Sequence, residues 1–321
     1  CTPAFICFYR SICNYSMNTD FQSRIDYQSL IIQVGQNLPT IPTVLEELSA
    51  MLKDGNSSTD SVREMMVSDP SMTMKILRVA NNVYYRGARS RVTDVEEAIG
   101  TLGFDKIHMV ILTTAVFEAF SFPSKDLKFE PADLWQHSLG TAVASSTIAE
   151  LTGLCVPQRA YTSGLIHDIG KIARLRLDSD SFCQDVGDAL YDEVPLHQVE
   201  EKKGSPLHHR LGHLVCHKWG LNQDVESVVH WHHEPEVEKR IGIGTQDLHR
   251  LIDVVSLGNW TAHAMHFGFS GHRSHGKVSE VLVERMGLKE DDLSDIKTRT
   301  RESFKEFRAF LAVLKRISNS T

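Results

Sequence analysis

Gly164-Leu165-Ile166-His167-Asp168-Ile169-Gly170-Lys171 sets an imidazole and a carboxylate side by side in an apolar run, with a lysine three residues beyond the aspartate. The run reads as part of a core helix, which takes His167 and Asp168 into the interior together. An isolated charge in apolar surroundings costs several kcal/mol unless something pairs it. A metal ion would do so. Asp168 and Lys171, three apart, share a helix face, so a metal-bridging carboxylate would sit beside a cation able to hold a phosphate oxygen. The alternative is a His–Asp hydrogen bond that only fixes helix packing, and these eight residues leave both open.

Outward from this run the chain reads as a series of short capped helices. A helix is expected from Ile25 to Gln36, followed by the Leu38-Pro39-Thr40-Ile41-Pro42 break. Thr43 caps the next segment, and Asp69-Pro70 ends a later one. Asp94 or Thr93 caps a helix closed by Gly103, with acids in its first turn. Pro131 and Asp133 open another, whose Gly140, Ala142, Ala144 and Ser145 allow a neighbour to come close and suit a central position in a bundle. The segment Val156 to Leu175 holds the opening motif, and Asp247 to His266 resumes the helical period. No alternating strand pattern of useful length occurs.

Histidine is the compositional oddity, with 16 residues, seven of them between His208 and His233. His209, His213 and His217 recur at i, i+4, i+8, which fits a metal-binding face or, more simply, a solvated polar one. His232 and His233 close a helix, and adjacent residues there project differently, so at most one is expected to join a given ion. The remaining totals exclude whole classes. A net charge of −7 without a basic run argues against nucleic acid, and no apolar stretch reaches the ~18 residues that span a bilayer. Six cysteines without a CxxC pair point to reduced thiols and a cytoplasmic setting.

In order along the chain, Leu38-Pro39-Thr40-Ile41-Pro42, Ser68-Asp69-Pro70, Ala80-Asn81-Asn82, Glu97-Ala98-Ile99-Gly100-Thr101-Leu102-Gly103 and Leu134-Trp135-Gln136-His137-Ser138 resemble the pattern of the bacterial HDOD domain. So do Gly164 to Lys171, His208 with Gly212, Trp219-Gly220-Leu221 and His232-His233-Glu234-Pro235. The resemblance implies an all-α fold, a multi-helix bundle of HD-domain type with an N-terminal helical subdomain and C-terminal helices. The expected divisions are a lead-in over 1–24, an N-terminal helical part over 25–125, the HD-like bundle over 126–266 and the C-terminal helices over 279–317.

For the site, the resemblance to the wider HD and HD-GYP phosphohydrolases puts His137 at the first ligand position, His167 and Asp168 at the paired one, and Lys171 on the phosphate side. His208, His232 and His233 match the extra histidines with which HD-GYP relatives hold a second metal. The last aspartate of the pattern falls on Asn259, a neutral oxygen that binds a divalent ion more weakly. Asp253, six residues earlier and on another helix face, is a poor substitute. No Gly-Tyr-Pro follows Glu234, which argues against cyclic-dinucleotide hydrolysis.

Two functions follow. One is a signalling module that keeps one or two divalent transition metal ions (Fe, Mn or Zn) and acts by binding a signalling protein. The other is an active metal-dependent phosphohydrolase, with Asp168 and Lys171 catalytic, acting on a nucleotide or other phosphate-containing small molecule. The apolar stripe of Phe304, Phe307, Leu311 and Leu314 is expected to dock on the body or on a second copy in a homodimer.

Overall fold

The computed structural model describes residues 25–37, 91–103 and 129–318, with positions 73, 74, 76, 77, 80, 81, 106, 107, 109–113 and 116. The expected lead-in, the Leu38–Pro42 break, the Thr43 cap and the Asp69-Pro70 stop lie outside these residues, as do the side chains beyond residue 305. Among the described residues the α-helices are α1 (Tyr27–Asn37), α2 (Val95–Leu102), α3 (Pro131–Thr152), α4 (Pro157–Ile166), α5 (Ile169–Leu177) and α6 (Ser179–Tyr191). They continue with α7 (Leu196–Lys203), α8 (His208–Lys218), α9 (Gln223–Trp231), α10 (Gln246–Ala264), α11 (Glu280–Arg285) and α12 (Glu290–Ser318), and there is no strand. The fold is all-α.

Local chemistry sets the boundaries. Asp94 Oδ1 accepts from Glu97 N at 2.8 Å, while Glu97 Oε2 accepts from Thr93 N at 2.8 Å, so two otherwise orphaned donors are met reciprocally at the start of α2. Pro131 occupies the first turn of α3, where its missing N–H costs nothing, and Gly153 ends that helix in a left-handed conformation. Every residue of α3 from His137 to Ala149 is buried. A helix buried all round must be central, and α3 packs against α4, α10 and α12. Its small residues permit this: a methyl on Gly164 of α4 would lie 3.0 Å from Ala142 Cα, and one on Gly258 of α10 would lie 3.0 Å from Ser145 N. Phe304 of α12 stacks on Phe267 with centroids 3.7 Å apart, so this end of the C-terminal stripe docks on the body.

α5 and α8 cross closely, and α1 packs on both. At the crossing, a methyl on Gly170 would overlap the His208 carbonyl and lie 2.7 Å from Gly212 N. Both neighbours are backbone and cannot rotate aside. Gly170→Ala is therefore expected to cost about 3 kcal/mol, read as a lower urea midpoint with unchanged slope.

Candidate metal centre

The helix expected to run through the central motif is broken. α4 ends at Ile166, Asp168 takes φ −101° and ψ 14°, and α5 begins at Ile169. A continuous helix would send adjacent side chains about 100° apart. The break instead brings His167 Nε2 to 3.3 Å from Asp168 Oδ2. It also frees the Gly164 carbonyl, which accepts from His167 Nδ1 at 2.7 Å and so leaves Nε2 as the lone-pair nitrogen.

Six elements converge here. Asp168 Oδ2 lies 3.8 Å from His137 Nε2 of α3 and 2.7 Å from Lys171 Nζ of α5. Its other oxygen, Oδ1, faces His208 Nε2 of α8 at 3.5 Å and His232 Nε2 beyond α9 at 3.7 Å. His208 Nε2 is in turn 2.9 Å from His233 Nε2. Two groups able to hold a metal ion result, His137 with His167 and Asp168, and Asp168 with His208, His232 and His233. In each group the donor atoms lie within 4.8 Å of one another, and Asp168 is common to both, with one oxygen turned to each.

His232 and His233 therefore share one group, against the expectation that they would part. α9 stops at Trp231, and once the backbone leaves the helix their rings meet with centroids 4.0 Å apart. Asn259 lies in the same region, its Oδ1 3.0 Å from His137 Nε2. Asp253 does not; it pairs with Arg240 at 2.6 Å and Arg285 at 2.7 Å.

Whether the pocket suits an ion can be judged from its unmet atoms. His167 Nε2, His232 Nε2 and Asp168 Oδ1 are buried without a hydrogen bond. Each such orphan costs about 1–3 kcal/mol, so three in one place are expensive unless they share a ligand. The rings are already set for one. His232 Nδ1 donates to the carbonyls of Val228 and Val229 at 3.1 and 3.0 Å, and His208 Nδ1 donates to Glu200 Oε2 at 2.7 Å, so both Nε2 lone pairs point inward. Burial would raise the Asp168 carboxyl, but His167 and the Lys171 ammonium hold it well below the usual carboxylate range. The residues fit a divalent ion.

Three supporting features had no sequence signal. Glu200 behind His208 is fully buried, and against that burial His208 and the Arg174 guanidinium hold its carboxyl down at about 2. His263 packs over His137 with centroids 4.4 Å apart and lines a surface depression with His266, Phe269, His272 and Arg273. His197 stacks on His233 at 4.1 Å.

Burial pushes His232 down to about 4, and His197 and His263 down to about 3. Unfolding returns each to about 6.5, so the unfolded chain binds more protons between these values. The metal-stripped protein is expected to hold its stability above about pH 6.5 and lose it towards pH 3, by about 1.4 kcal/mol per pH unit for each such histidine. Urea midpoints at pH 7.5, 6.0 and 5.0 in chelator check this.

The fold and site together define an all-helical bundle built around a buried histidine–aspartate cluster suited to metal. The profile of the HDOD domain matches residues 38–235, and the chain belongs to the HDOD domain family. Among solved structures it is similar to an HDOD domain protein of unknown function from Geobacter sulfurreducens, at 22% identity and TM-score 0.68, covering 89% of this chain and 96% of that one. A candidate signal transduction protein from Marinobacter aquaeolei VT8 matches at 16% and TM-score 0.70, covering 95% and 68%. A candidate metal-dependent phosphohydrolase from Shewanella amazonensis SB2B matches at 15% and TM-score 0.51, covering 89% and 100%. No match is found among curated proteins. No helix among the described residues is long and apolar enough to cross a membrane.

Proposed function

We propose that this protein is a signal-transduction module of the HDOD family whose histidine–aspartate cluster holds divalent transition metal and whose output is the binding of a protein partner. His208, His232 and His233 with Asp168 Oδ1 would hold one ion, and His137 and His167 with Asp168 Oδ2 the other. Asn259 would offer the second ion only a neutral oxygen. Imidazole with one shared carboxylate suits Fe, Mn or Zn.

The observation that carries this reading is closure. His137, His167, Asp168, Lys171 and His208 are each at most 1% exposed, and of the donors in the two groups His233 is the one not fully buried. A metal site enclosed in this way holds helices together and reports occupancy through their packing.

The bridging carboxylate with Lys171 beside it favours a second reading, a phosphohydrolase acting on a nucleotide or other phosphate ester. In that case a bound ion would supply an activated water, and Lys171 would leave Asp168 to steady a phosphoryl oxygen. The two readings separate by elemental analysis of protein purified without chelator, followed by assay of the loaded protein with nucleotide and phosphodiester substrates. One or two ions per chain without turnover supports the signalling module. Turnover that disappears with the metal supports the enzyme, and metal-free protein that stays empty after reconstitution with Fe, Mn or Zn overturns both.

A further inference from the structure

We propose that the surface depression beside the centre binds the phosphate or carboxylate group of a small molecule, at a site that does not depend on the centre holding metal. The depression is lined by Phe267 and Phe269 and by four nitrogen-bearing side chains, His263, His266, His272 and Arg273, with no carboxylate among its lining residues. The loop that carries most of them follows α10 and is clamped between α3 and α7. Phe269 N donates to the Asp133 carbonyl of α3 at 3.0 Å, and a methyl on Gly268 would overlap that carbonyl and His137 N. On the other side, a methyl on Gly271 would lie 2.9 Å from Leu196 Cδ2 of α7. These glycines take φ +64° and +102°, and His266, which has a side chain to accommodate, takes +55°. Left-handed backbone at such a residue is costly and is kept where the surroundings fix it, commonly at ligand sites.

Three features mark an oxyanion site. Arg273 is exposed and makes no ion pair among the described residues; its guanidinium lies over the Phe269 ring, 5.4 Å from the centroid, so the aromatic face positions the fork without neutralising it. His272, by contrast, is 6% exposed, and its Nδ1 is buried with no hydrogen bond. A nitrogen left unmet in this way is costly, and a ligand oxygen entering the depression would meet it. Burial holds the His272 ring well below the usual imidazole range, so His272 supplies a neutral N–H and Arg273 the charge. The lining itself is the third feature: a guanidinium without a carboxylate repels a cation, whereas an oxyanion accepts from both donors. His263, whose Nε2 is 3.2 Å from Ser270 Oγ, packs between His272 and His137 with centroids 4.2 and 4.4 Å away. A group bound in the depression would therefore sit one ring from the centre.

The test uses full-length protein stripped with chelator and dialysed, titrated calorimetrically with inorganic phosphate and with acetate at an ionic strength held constant by chloride. The variants are Arg273→Gln and, as a control for surface charge, Arg250→Gln at an exposed position of α10, with circular dichroism to confirm folding. Wild type is expected to bind a single anion per chain, phosphate the more tightly if the natural ligand is a phosphate ester and acetate if it is a carboxylic acid. Arg273→Gln is expected to bind at least about tenfold more weakly, the scale of one lost charge-assisted hydrogen bond, and Arg250→Gln to bind as the wild type does. Equal affinity in Arg273→Gln and wild type overturns the site, and so does a wild type that prefers neither anion to chloride. An equal loss in Arg250→Gln overturns it in favour of general surface charge. Binding that appears only once metal is restored also overturns it, because the anion would then sit on the ions.

Discussion

Asp168→Asn is expected to empty both metal groups at once, whereas His208→Gln and His137→Gln are each expected to weaken one. The reason is charge. Every other donor in the two groups is an imidazole, so Asp168 is the single anion available to both ions. An amide keeps the shape and one oxygen but removes the charge, and it brings an N–H group into a place where only acceptors are wanted. Loss of an outer-shell partner alone weakens metal binding about 10–100-fold, so loss of a bridging anion is expected to exceed 100-fold.

The same substitution strands Lys171, which is 1% exposed and has its ammonium 2.7 Å from Asp168 Oδ2. Breaking a buried pair from one side costs about 3–5 kcal/mol, so metal loss could be confused with unfolding. Asp168→Asn with Lys171→Met removes both charges together and is expected to recover most of the stability while staying metal-free. Elemental analysis and thermal melts of the wild type, the two histidine variants and the double variant decide it. A folded double variant with wild-type metal content would show that Asp168 does not hold the ions.

The legible parts of this protein were those in which neighbours in sequence act on each other. The Asp94 cap, the Gly103 stop, the small residues of α3 and the Asp168–Lys171 pair are all local, and spacing alone points to them. The resemblance supplied the donor set, because ordered motifs spread over much of the chain carry information that no single spacing does. Two features ran against the local signal. The motif helix breaks at Asp168, since a buried cluster rewards the break more than helix continuity would. His232 and His233 meet because the helix has already ended. Glu200, Arg174 and Asp185 had no readable signal at all: an acid or a base on an amphipathic helix looks solvated until a second helix is laid over it.

That hidden group makes the second large prediction. Arg174 is 4% exposed; its Nη1 donates to Glu200 Oε1 and its Nη2 to Asp185 Oδ2, both at 2.8 Å. Glu200 Oε2 accepts from His208 Nδ1 at 2.7 Å and from His208 N at 3.1 Å, while Asp185 Oδ1 is met by Lys203 at 2.7 Å. One guanidinium therefore bridges two buried carboxylates, and one of those carboxylates aims a donor of the metal centre. Arg174→Met leaves both acids buried with too little positive charge, and is expected to cost about 3–5 kcal/mol, a fall in melting temperature on the order of 10 °C. Glu200→Gln is gentler on the fold, because the amide oxygen can still accept from His208 and the guanidinium retains Asp185. Its main effect is expected at the metal, about 10–100-fold weaker binding, because a neutral amide holds the His208 Nδ1–H, and with it the aim of the ring, less firmly than a carboxylate does. The contrast is the test. If Arg174→Met melts with the wild type, the network is not holding α5, α6 and α7 together. If Glu200→Gln lowers stability as much as Arg174→Met while leaving metal affinity unchanged, Glu200 serves the fold and not the orientation of His208.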